Sequence, residues 1–307
     1  MNYGLAVCYH YVNPYVNKFP KIHGVTPDKL RHDIDDLSLL GHFTDLNHLF
    51  NKENKMFGGI DNSISVILTF DDGLKDHYKF VMPIVLEKKI KATFYIPTGI
   101  FEGRVLDVHK IHFILAYTKN KRALANQIYE FLNYHEVPHL YKVARSQHRY
   151  DSASVSEIKW LLQRGIGRNY RTRLIDELFA KYVTRDQAEF AANLYISIPE
   201  LKVMSEAGMN IGFHSRNHLH FPDLEIADLN HEISQPITFF NNLDIYPESI
   251  SYPFGEKSNQ VKNVIEEYGI NKAFTVIPEF FNTTTVNNLE IPRFDANDVN
   301  NISKKPY

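Results

Sequence analysis

The fold is decided at residues 66–73, Val66-Ile67-Leu68-Thr69-Phe70-Asp71-Asp72-Gly73, where an apolar run ends in two adjacent carboxylates. A short run of this kind is typical of a strand buried in a parallel sheet. A helical pattern follows over 76–89, and residues 92–96 form a second apolar run. This order of strand, helix and strand predicts an α/β protein, in which functional groups gather at the carboxyl ends of the strands.

The same alternation continues on both sides of this unit. Residues 4–12 form another apolar run, and a helix is predicted over 30–40, with Thr26 as its cap and Pro27 in its first turn. Toward the C-terminus the pattern predicts a helix at 198–207, strands at 211–214, 249–253 and 273–276, and a helix at 260–268 that Gly269 ends. We expect one parallel sheet, doubly wound or closed into a barrel.

The segment between residues 104 and 192 has a different character. It is polar, with helices predicted at 123–132 and 158–182, and residues 104–185 carry 15 Lys and Arg against 7 Asp and Glu. We predict a single catalytic domain over 1–307, with 104–192 as a basic helical insertion. Its charge indicates either an anionic partner, such as a phosphate group, nucleic acid or a membrane surface, or simply a solvated helical face.

Composition excludes several classes of protein. The 307 residues are 44% hydrophobic and 23% charged, with a net charge of −2, which is ordinary for a globular chain and excludes disorder. No run approaches the roughly 18 apolar residues of a membrane span, and the single Cys8 excludes an intrachain disulfide. Since residues 1–10 lack the features of a secretion signal, we expect a cytoplasmic protein, with peripheral membrane contact as an alternative.

The adjacent Asp71 and Asp72 carry the first chemical signal. Two neighbouring carboxylates at a strand end repel each other and lose hydration, so a cation is expected to resolve the conflict. Because successive side chains diverge, one carboxylate can bind a metal ion while the other accepts a proton. The alternative is structural, since aspartate is also common at helix caps and turns.

A pair of histidines follows the strand predicted at 211–214. If the segment turns helically, His214 and His218 lie on one face and both imidazoles reach one ion. Together with Asp72 they provide the three protein ligands of a catalytic zinc site. His220 is a competing ligand, which a continuing helical turn would point elsewhere. Any one of the 15 histidines is more often a surface or core residue.

A third motif, Ser251-Tyr252-Pro253-Phe254-Gly255, ends the strand predicted at 249–253. Its proline and glycine predict a sharp turn, which would direct the backbone N–H of Phe254 toward the site. Such an amide can stabilise an oxyanion. The alternative is that the segment is only a tight turn.

The three motifs resemble the signature of the polysaccharide deacetylase, or NodB-homology, family of carbohydrate esterases. That resemblance implies a distorted (β/α) barrel that hydrolyses acyl groups on sugars with one divalent metal ion, expected to be Zn²⁺. It further implies specific roles for five residues: Asp71 as catalytic base, Asp72, His214 and His218 as metal ligands, and Phe254 as the oxyanion amide.

Two family features are missing from their usual places. Ser251 stands where many members have an arginine that orients the base, and residues 287–307 lack the usual Leu-x-His that provides the general acid. A permuted subset of the family carries an amino-terminal Tyr-His instead. By similarity to that subset, His10 is the expected acid and Arg293 the expected partner of Asp71. The alternatives are a buried strand-end histidine and a surface arginine.

The expected function is metal-dependent N-deacetylation of an acetamido sugar in surface-polysaccharide assembly. The substrate is an acetylated amino sugar, with nucleotide-linked and lipid-linked forms both open. Three alternatives remain: another amide hydrolase on this scaffold, such as a deformylase or ring-opening amidase; a saccharide-binding protein without activity; and a nucleic-acid-binding protein, which no motif supports. Cobalt, nickel and manganese remain open beside zinc.

Overall fold

A computed structural model describes residues 3–14, 22, 24–50, 64–138 and 151–302. The described chain divides into two compact units. The first takes the described residues of 1–16, 24–102 and 192–307, and the second those of 17–23 and 103–191. All seven residues for which the sequence predicts a catalytic or metal-binding role lie in the first unit. No helix of the described residues is long and apolar enough to cross a bilayer.

The strands all belong to one sheet of the first unit. In chain order they are β1 (Tyr3–Tyr9), β2 (Gly41–Phe43), β3 (Ile64–Asp71), β4 (Thr93–Ile96), β5 (Asn210–Phe213), β6 (Ser249–Ser251), β7 (Lys272–Phe274), β8 (Phe281–Asn282) and β9 (Phe294–Asp295).

The α-helices occur in both units. They are α1 (Pro27–Ser38), α2 (Leu46–Phe50), α3 (Met82–Glu87), α4 (Asp107–Tyr117), α5 (Lys121–Tyr134), α6 (Ala153–Trp160), α7 (Arg168–Tyr182), α8 (Gln187–Leu194), α9 (Ile198–Glu206), α10 (Ile226–Asn241), α11 (Asn259–Glu267) and α12 (Val299–Ile302). Helices α4–α7 lie in the second unit, whose described residues contribute no strand.

The sheet is curled and almost entirely parallel. Its order is β7-β6-β5-β4-β3-β1-β8, with β2 also paired to β3 and β9 to β1. Only β8 is antiparallel to its neighbour. Every residue of β3 except Ser65 is buried, as expected of a parallel strand covered on both faces. This architecture confirms the predicted α/β fold of the distorted-barrel type.

A short C-terminal segment links the two sides of the sheet. Ile291 forms a parallel bridge with Phe274 of β7. A few residues later β9 pairs with β1 through Val7 and Cys8. The chain between them therefore crosses from β7 to β1, and this crossing brings Arg293 into the interior of the curled sheet.

Three local features differ from the sequence predictions. The helix predicted over 76–89 begins as a π-helix, His77–Val81, before it continues as α3. The helix predicted over 158–182 is broken into α6, a π-helical turn and α7. The π-helical turn ends at Gly165, where a Cβ would lie 2.3 Å from the ring of Trp160. Helix α10 had no prediction at all, and it carries an internal Pro236.

Candidate active site

Asp71, the last residue of β3, is held by a buried arginine. Nη1 of Arg293 donates to its Oδ1 at 2.9 Å, and Nη2 donates to its Oδ2 at 2.8 Å. Arg293 is only 1% exposed. The structure thus places this arginine against Asp71, and the alternative of a surface arginine is wrong.

The remaining donors of Arg293 are also used. Its Nε donates to the carbonyl of Thr275 at 3.0 Å, and Nη1 also donates to Oγ1 of Thr69 at 3.0 Å. Nη2 reaches Oγ of Ser251 at 2.7 Å, and that hydroxyl donates to Asp71 at 2.8 Å. A planar guanidinium with every nitrogen engaged is fixed in orientation, so the carboxylate that it binds is fixed as well.

The charges around Asp71 keep it ionised. Burial alone would raise the pKa of its carboxyl group, but the positive charge and the hydrogen bonds of Arg293 hold that pKa well below its ordinary value. In turn, Asp71 outweighs the effect of burial on Arg293 and raises the pKa of its guanidinium. The pair is therefore charged at neutral pH.

Asp72 lies in a different environment, one residue further along. Its φ of 85° is left-handed, and its N–H donates to the carbonyl of Tyr95 at 3.0 Å. Its Oδ1 lies 3.7 Å from Nε2 of His214 and 3.6 Å from Nε2 of His218. The three side chains are buried, and their ligand atoms all lie within 4.8 Å of one another. The sequence-predicted ligand set is therefore brought together.

His214 directly follows β5, and a backbone carbonyl group fixes the orientation of its ring. Its Nδ1 lies 2.7 Å from the carbonyl oxygen of Ser251, which can only accept, so Nδ1 carries the proton. Burial lowers the pKa of the imidazole in spite of the nearby carboxylates. The ring is therefore neutral, and the lone pair of Nε2 is directed toward Asp72, as metal-binding histidines require.

The His-x-x-x-His segment does not turn helically, so that expectation was wrong. Ser215 and His218 both have left-handed backbone conformations, with φ values of 62° and 55°. Oγ of Ser215 accepts from the N–H of His218 at 2.8 Å. The carboxylate of Glu232, a buried residue of α10, accepts from the amides of Arg216 at 3.1 Å and Asn217 at 2.8 Å. A tightly bonded loop, not a helix, brings the imidazoles together.

Phe254 lies beside the ligand set in a strained turn. Its φ of 59° is left-handed, and its ring meets that of His218 edge-on at 4.6 Å between centroids. His220 stacks flat on the other side of Phe254 at 3.7 Å, and its Nδ1 lies 3.0 Å from the carboxylate of Glu256. His220 is thus engaged elsewhere and is not one of the converging ligand atoms.

His10 follows β1 and faces the Asp71 side of the site. Cys8 lies between the two: its Sγ is 3.5 Å from Oδ2 of Asp71 and 3.9 Å from Nδ1 of His10. Burial opposes the charged form of His10, but Cys8 and the carboxylates of Asp72 and Asp71 raise the pKa of its imidazole well above the ordinary value.

Sequence reasoning missed the residues that support the site. In the sequence, Ser251 stood out only because many family members have an arginine at this position. In the structure, its hydroxyl joins Arg293 to Asp71 and its carbonyl orients His214. Its place in the third motif was a usable signal. Glu232 gave no signal, because it stands in a helix that the sequence pattern did not reveal.

The donor set of Asp72, His214 and His218 fits a divalent ion. One carboxylate oxygen and two imidazole nitrogens, all on buried residues, are donors of the kind that hold a catalytic zinc ion with an open position. Cys8, His10 and Asp71 also converge within the same distance. That second group does not suit a cation, because the Arg293 guanidinium already binds both oxygens of Asp71.

The sequence profile of the polysaccharide deacetylase family matches residues 59–112 and 174–273, which together make up half of the chain. The chain belongs to the polysaccharide deacetylase family. Members of this family are generally metal-dependent. The matched residues include Asp71, Asp72, His214 and His218, whereas His10 and Arg293 lie outside them.

Solved structures share the deacetylase fold. The deacetylase PplD of Streptococcus pyogenes, in complex with acetate, is 13% identical, with a TM-score of 0.61 and 99% coverage of both chains. IcaB from Ammonifex degensii is 12% identical, with a TM-score of 0.57 and coverage of 99% of this chain and 96% of its own. A de-N-acetylase from Aggregatibacter actinomycetemcomitans is 12% identical, with a TM-score of 0.56 and coverage of 100% and 97%. The comparison with curated proteins gave no sequence match.

Proposed function

We propose that this polysaccharide deacetylase is a metal-dependent N-deacetylase of an acetamido sugar, acting on a saccharide intermediate of surface-polysaccharide biosynthesis. The observation that carries the proposal is the contrast between two adjacent carboxylates. Asp71 is bound by a guanidinium and a hydroxyl, whereas Asp72 faces two imidazole nitrogens. A fixed base beside a metal-binding group is what hydrolysis of an unactivated amide needs. The structural neighbours, which include a deacetylase and a de-N-acetylase, support this reaction.

Asp72, His214 and His218 would hold the divalent ion, and we propose Zn²⁺ because the donor set is mixed nitrogen and oxygen. When bound, the ion supplies Lewis-acid polarisation of the amide carbonyl and lowers the pKa of water at the site. Ser251 keeps His214 in the tautomer that can act as a ligand.

Asp71 is the proton acceptor in this mechanism. Both of its oxygens already accept hydrogen bonds from Arg293, so a proton from the attacking water must be taken by a remaining lone pair. The low pKa of the carboxyl group makes Asp71 a weak base, sufficient only for a water that the site has made acidic. Arg293 and Ser251 act as positioning residues, since they fix the direction of the carboxylate.

His10 is the proton donor to the departing amine. Because Nδ1 faces the sulfur of Cys8, the transferable proton is carried by Nε2. The raised pKa of His10 keeps the imidazole protonated near neutral pH. As the C–N bond breaks, this proton passes to the amine nitrogen, which otherwise leaves poorly. The backbone N–H of Phe254, a residue whose ring packs against that of His218, serves as a donor to the oxyanion.

The test is an acyl-release screen with purified, zinc-loaded protein. The substrates are free, nucleotide-linked and lipid-linked acetamido sugars, each with an N-formyl counterpart. We expect equal amounts of acetate and free amine from at least one acetamido sugar, and loss of the activity after chelation. Formate release alone would reassign the chain as a different amide hydrolase. Saccharide binding without release, at full metal content, would show a binding protein instead.

A further inference from the structure

A buried histidine outside the proposed mechanism lies directly behind the proton donor. His77 has no exposed surface, and its ring contacts those of Phe70 and Phe94 at centroid distances of 5.6 and 5.8 Å. Its Nε2 lies 2.8 Å from the backbone carbonyl oxygen of His10. This hydrogen bond joins the segment after the two aspartates to the segment that carries the proton donor.

The direction of this hydrogen bond follows from its acceptor. A carbonyl oxygen cannot donate, so Nε2 of His77 carries the proton. Burial lowers the pKa of His77 to about 4, which keeps the imidazole neutral and leaves Nδ1 without a proton. In the described part of the chain, Nδ1 is buried and has no hydrogen-bond partner. A buried, unsatisfied nitrogen is unfavourable, and a phenylalanine between the same two rings would avoid it.

The backbone around both residues shows why a donor is needed. The pairing of β1 with β3 ends at Tyr9 and Phe70, so His10 lies one residue beyond the ladder. His77 opens the π-helix His77–Val81, a conformation that often marks functional positions. The π-helix and the Asp-Asp-Gly turn together bring His77 beneath the carbonyl of His10.

We propose that His77 is a positioning residue, which holds His10 in place by donating its Nε2 proton to the His10 carbonyl. The inference rests on the proposed function, because it concerns the residue that protonates the leaving amine. In this role His77 does not contact the substrate and does not transfer a proton.

Two substitutions separate the hydrogen bond from the packing. His77→Phe keeps a ring between Phe70 and Phe94 but removes the donor, whereas His77→Gln keeps an N–H at a similar reach. We expect His77→Phe to lower kcat about tenfold with KM and metal content unchanged, and His77→Gln to recover most of that loss. His32→Phe is the matched control, since exposed His32 also bonds a backbone carbonyl, that of Asp28, and should leave kcat unchanged.

A double-mutant cycle tests whether the effect passes through His10. With His10→Ala already present, adding His77→Phe should cause no further loss of kcat. Equal losses in His77→Phe and His77→Gln would show that packing alone matters, and unchanged kcat in His77→Phe would overturn the proposal.

A measurement without substrate separates this proposal from the proposed function. In protein labelled with ¹⁵N-histidine, His77→Phe should shift or split the ring signals of His10, while His32→Phe should not. If the wild-type protein releases no acetate, the proposed function fails although the NMR result still tests the positioning. Unchanged His10 signals in an active enzyme would overturn the positioning alone.

Discussion

The two halves of the site differ in their interactions, although Asp71 of one half and Asp72 of the other are adjacent in the sequence. In the anchored region (Asp71, Arg293 and Ser251), four hydrogen bonds join the three side chains, and two of them link the oppositely charged Arg293 and Asp71. In the ligand region (Asp72, His214 and His218), the nitrogens of two imidazole rings lie 3.6–3.7 Å from a carboxylate oxygen, too far for direct hydrogen bonds.

The difference shows how neighbouring residues of one type acquire different chemistry. Asp71 is the last residue of β3, and its carboxylate binds the guanidinium of Arg293, which lies on the segment that crosses from β7 to β1. Asp72 leaves the strand with a left-handed backbone and meets the histidines that follow β5. In the anchored region, the carboxylate is neutralised by a cation of the protein itself, Arg293. In the ligand region, the spacing and the types of the donor atoms suit a bound metal cation.

The largest expected effect comes from Asp71→Asn, which breaks the anchored region and leaves the ligand region intact. An amide cannot accept the proton, so we expect kcat to fall by about 10³-fold. Metal content should stay near that of the wild type, because none of the three ligands changes. Acetate release and elemental analysis on the same preparation test this, and activity above about a tenth of the wild type would remove Asp71 as the base.

The reverse experiment is His214→Ala, which breaks the ligand region. Removing one of three ligands should weaken metal affinity by at least about 100-fold, so the dialysed protein should contain little metal. His220→Ala is the matched control, because His220 lies nearby but is bonded to Glu256, and it should retain the ion. Full metal occupancy in His214→Ala would contradict the ligand assignment.

Arg293→Met tests how much the anchored region contributes to stability. It leaves a buried carboxylate without its cation, and we expect the unfolding free energy of metal-free protein at pH 7 to fall by about 3–5 kcal/mol. The folded pKa of Asp71 lies below the unfolded value, so this stabilisation is present above about pH 4 and is lost at lower pH.

Urea unfolding of the wild type and Arg293→Met at several pH values provides the measurement. The difference between them should shrink as the pH falls below about 4. Arg293→Lys keeps the positive charge but cannot bind both oxygens of Asp71 in a bidentate manner. Its free energy of unfolding should therefore fall by less than that of Arg293→Met. A difference that does not depend on pH would show that the arginine stabilises through packing only.

The smallest expected effect concerns Asp76, a third carboxylate of the same segment. Burial raises its pKa to about 6, against the opposing hydrogen bond from Asn13 and the charge of Lys79. Because the folded pKa exceeds the unfolded one, ionisation destabilises the protein as the pH rises from about 4 through 6. Asp76→Asn should therefore be more stable than the wild type by about 1 kcal/mol at pH 8 and nearly equal at pH 4, as denaturant unfolding would show; a wild type that is the more stable at pH 8 would contradict this.

The sequence revealed the chemistry of the site better than its geometry. The sequence predicted that the two carboxylates at the end of β3 and the histidine pair after β5 lie in one site, because the carboxyl ends of parallel strands share one edge of the sheet. The loop that unites His214 and His218 could not be predicted, since it depends on Glu232 of the following helix α10, which the sequence pattern did not reveal. The pairing of Arg293 with Asp71 was predicted by resemblance alone, because no local pattern reveals a contact between segments so far apart.

That contact spans 222 residues, which matters while the protein is being made. At roughly 5–20 residues per second, the ribosome releases Asp71 roughly 10 to 45 seconds before its arginine exists. Throughout that interval the nascent polypeptide carries two adjacent aspartates without the guanidinium that binds Asp71 in the folded protein. The ion pair between Asp71 and Arg293 therefore cannot form until the C-terminal crossing has been synthesised, and the enzyme should gain activity only after that point.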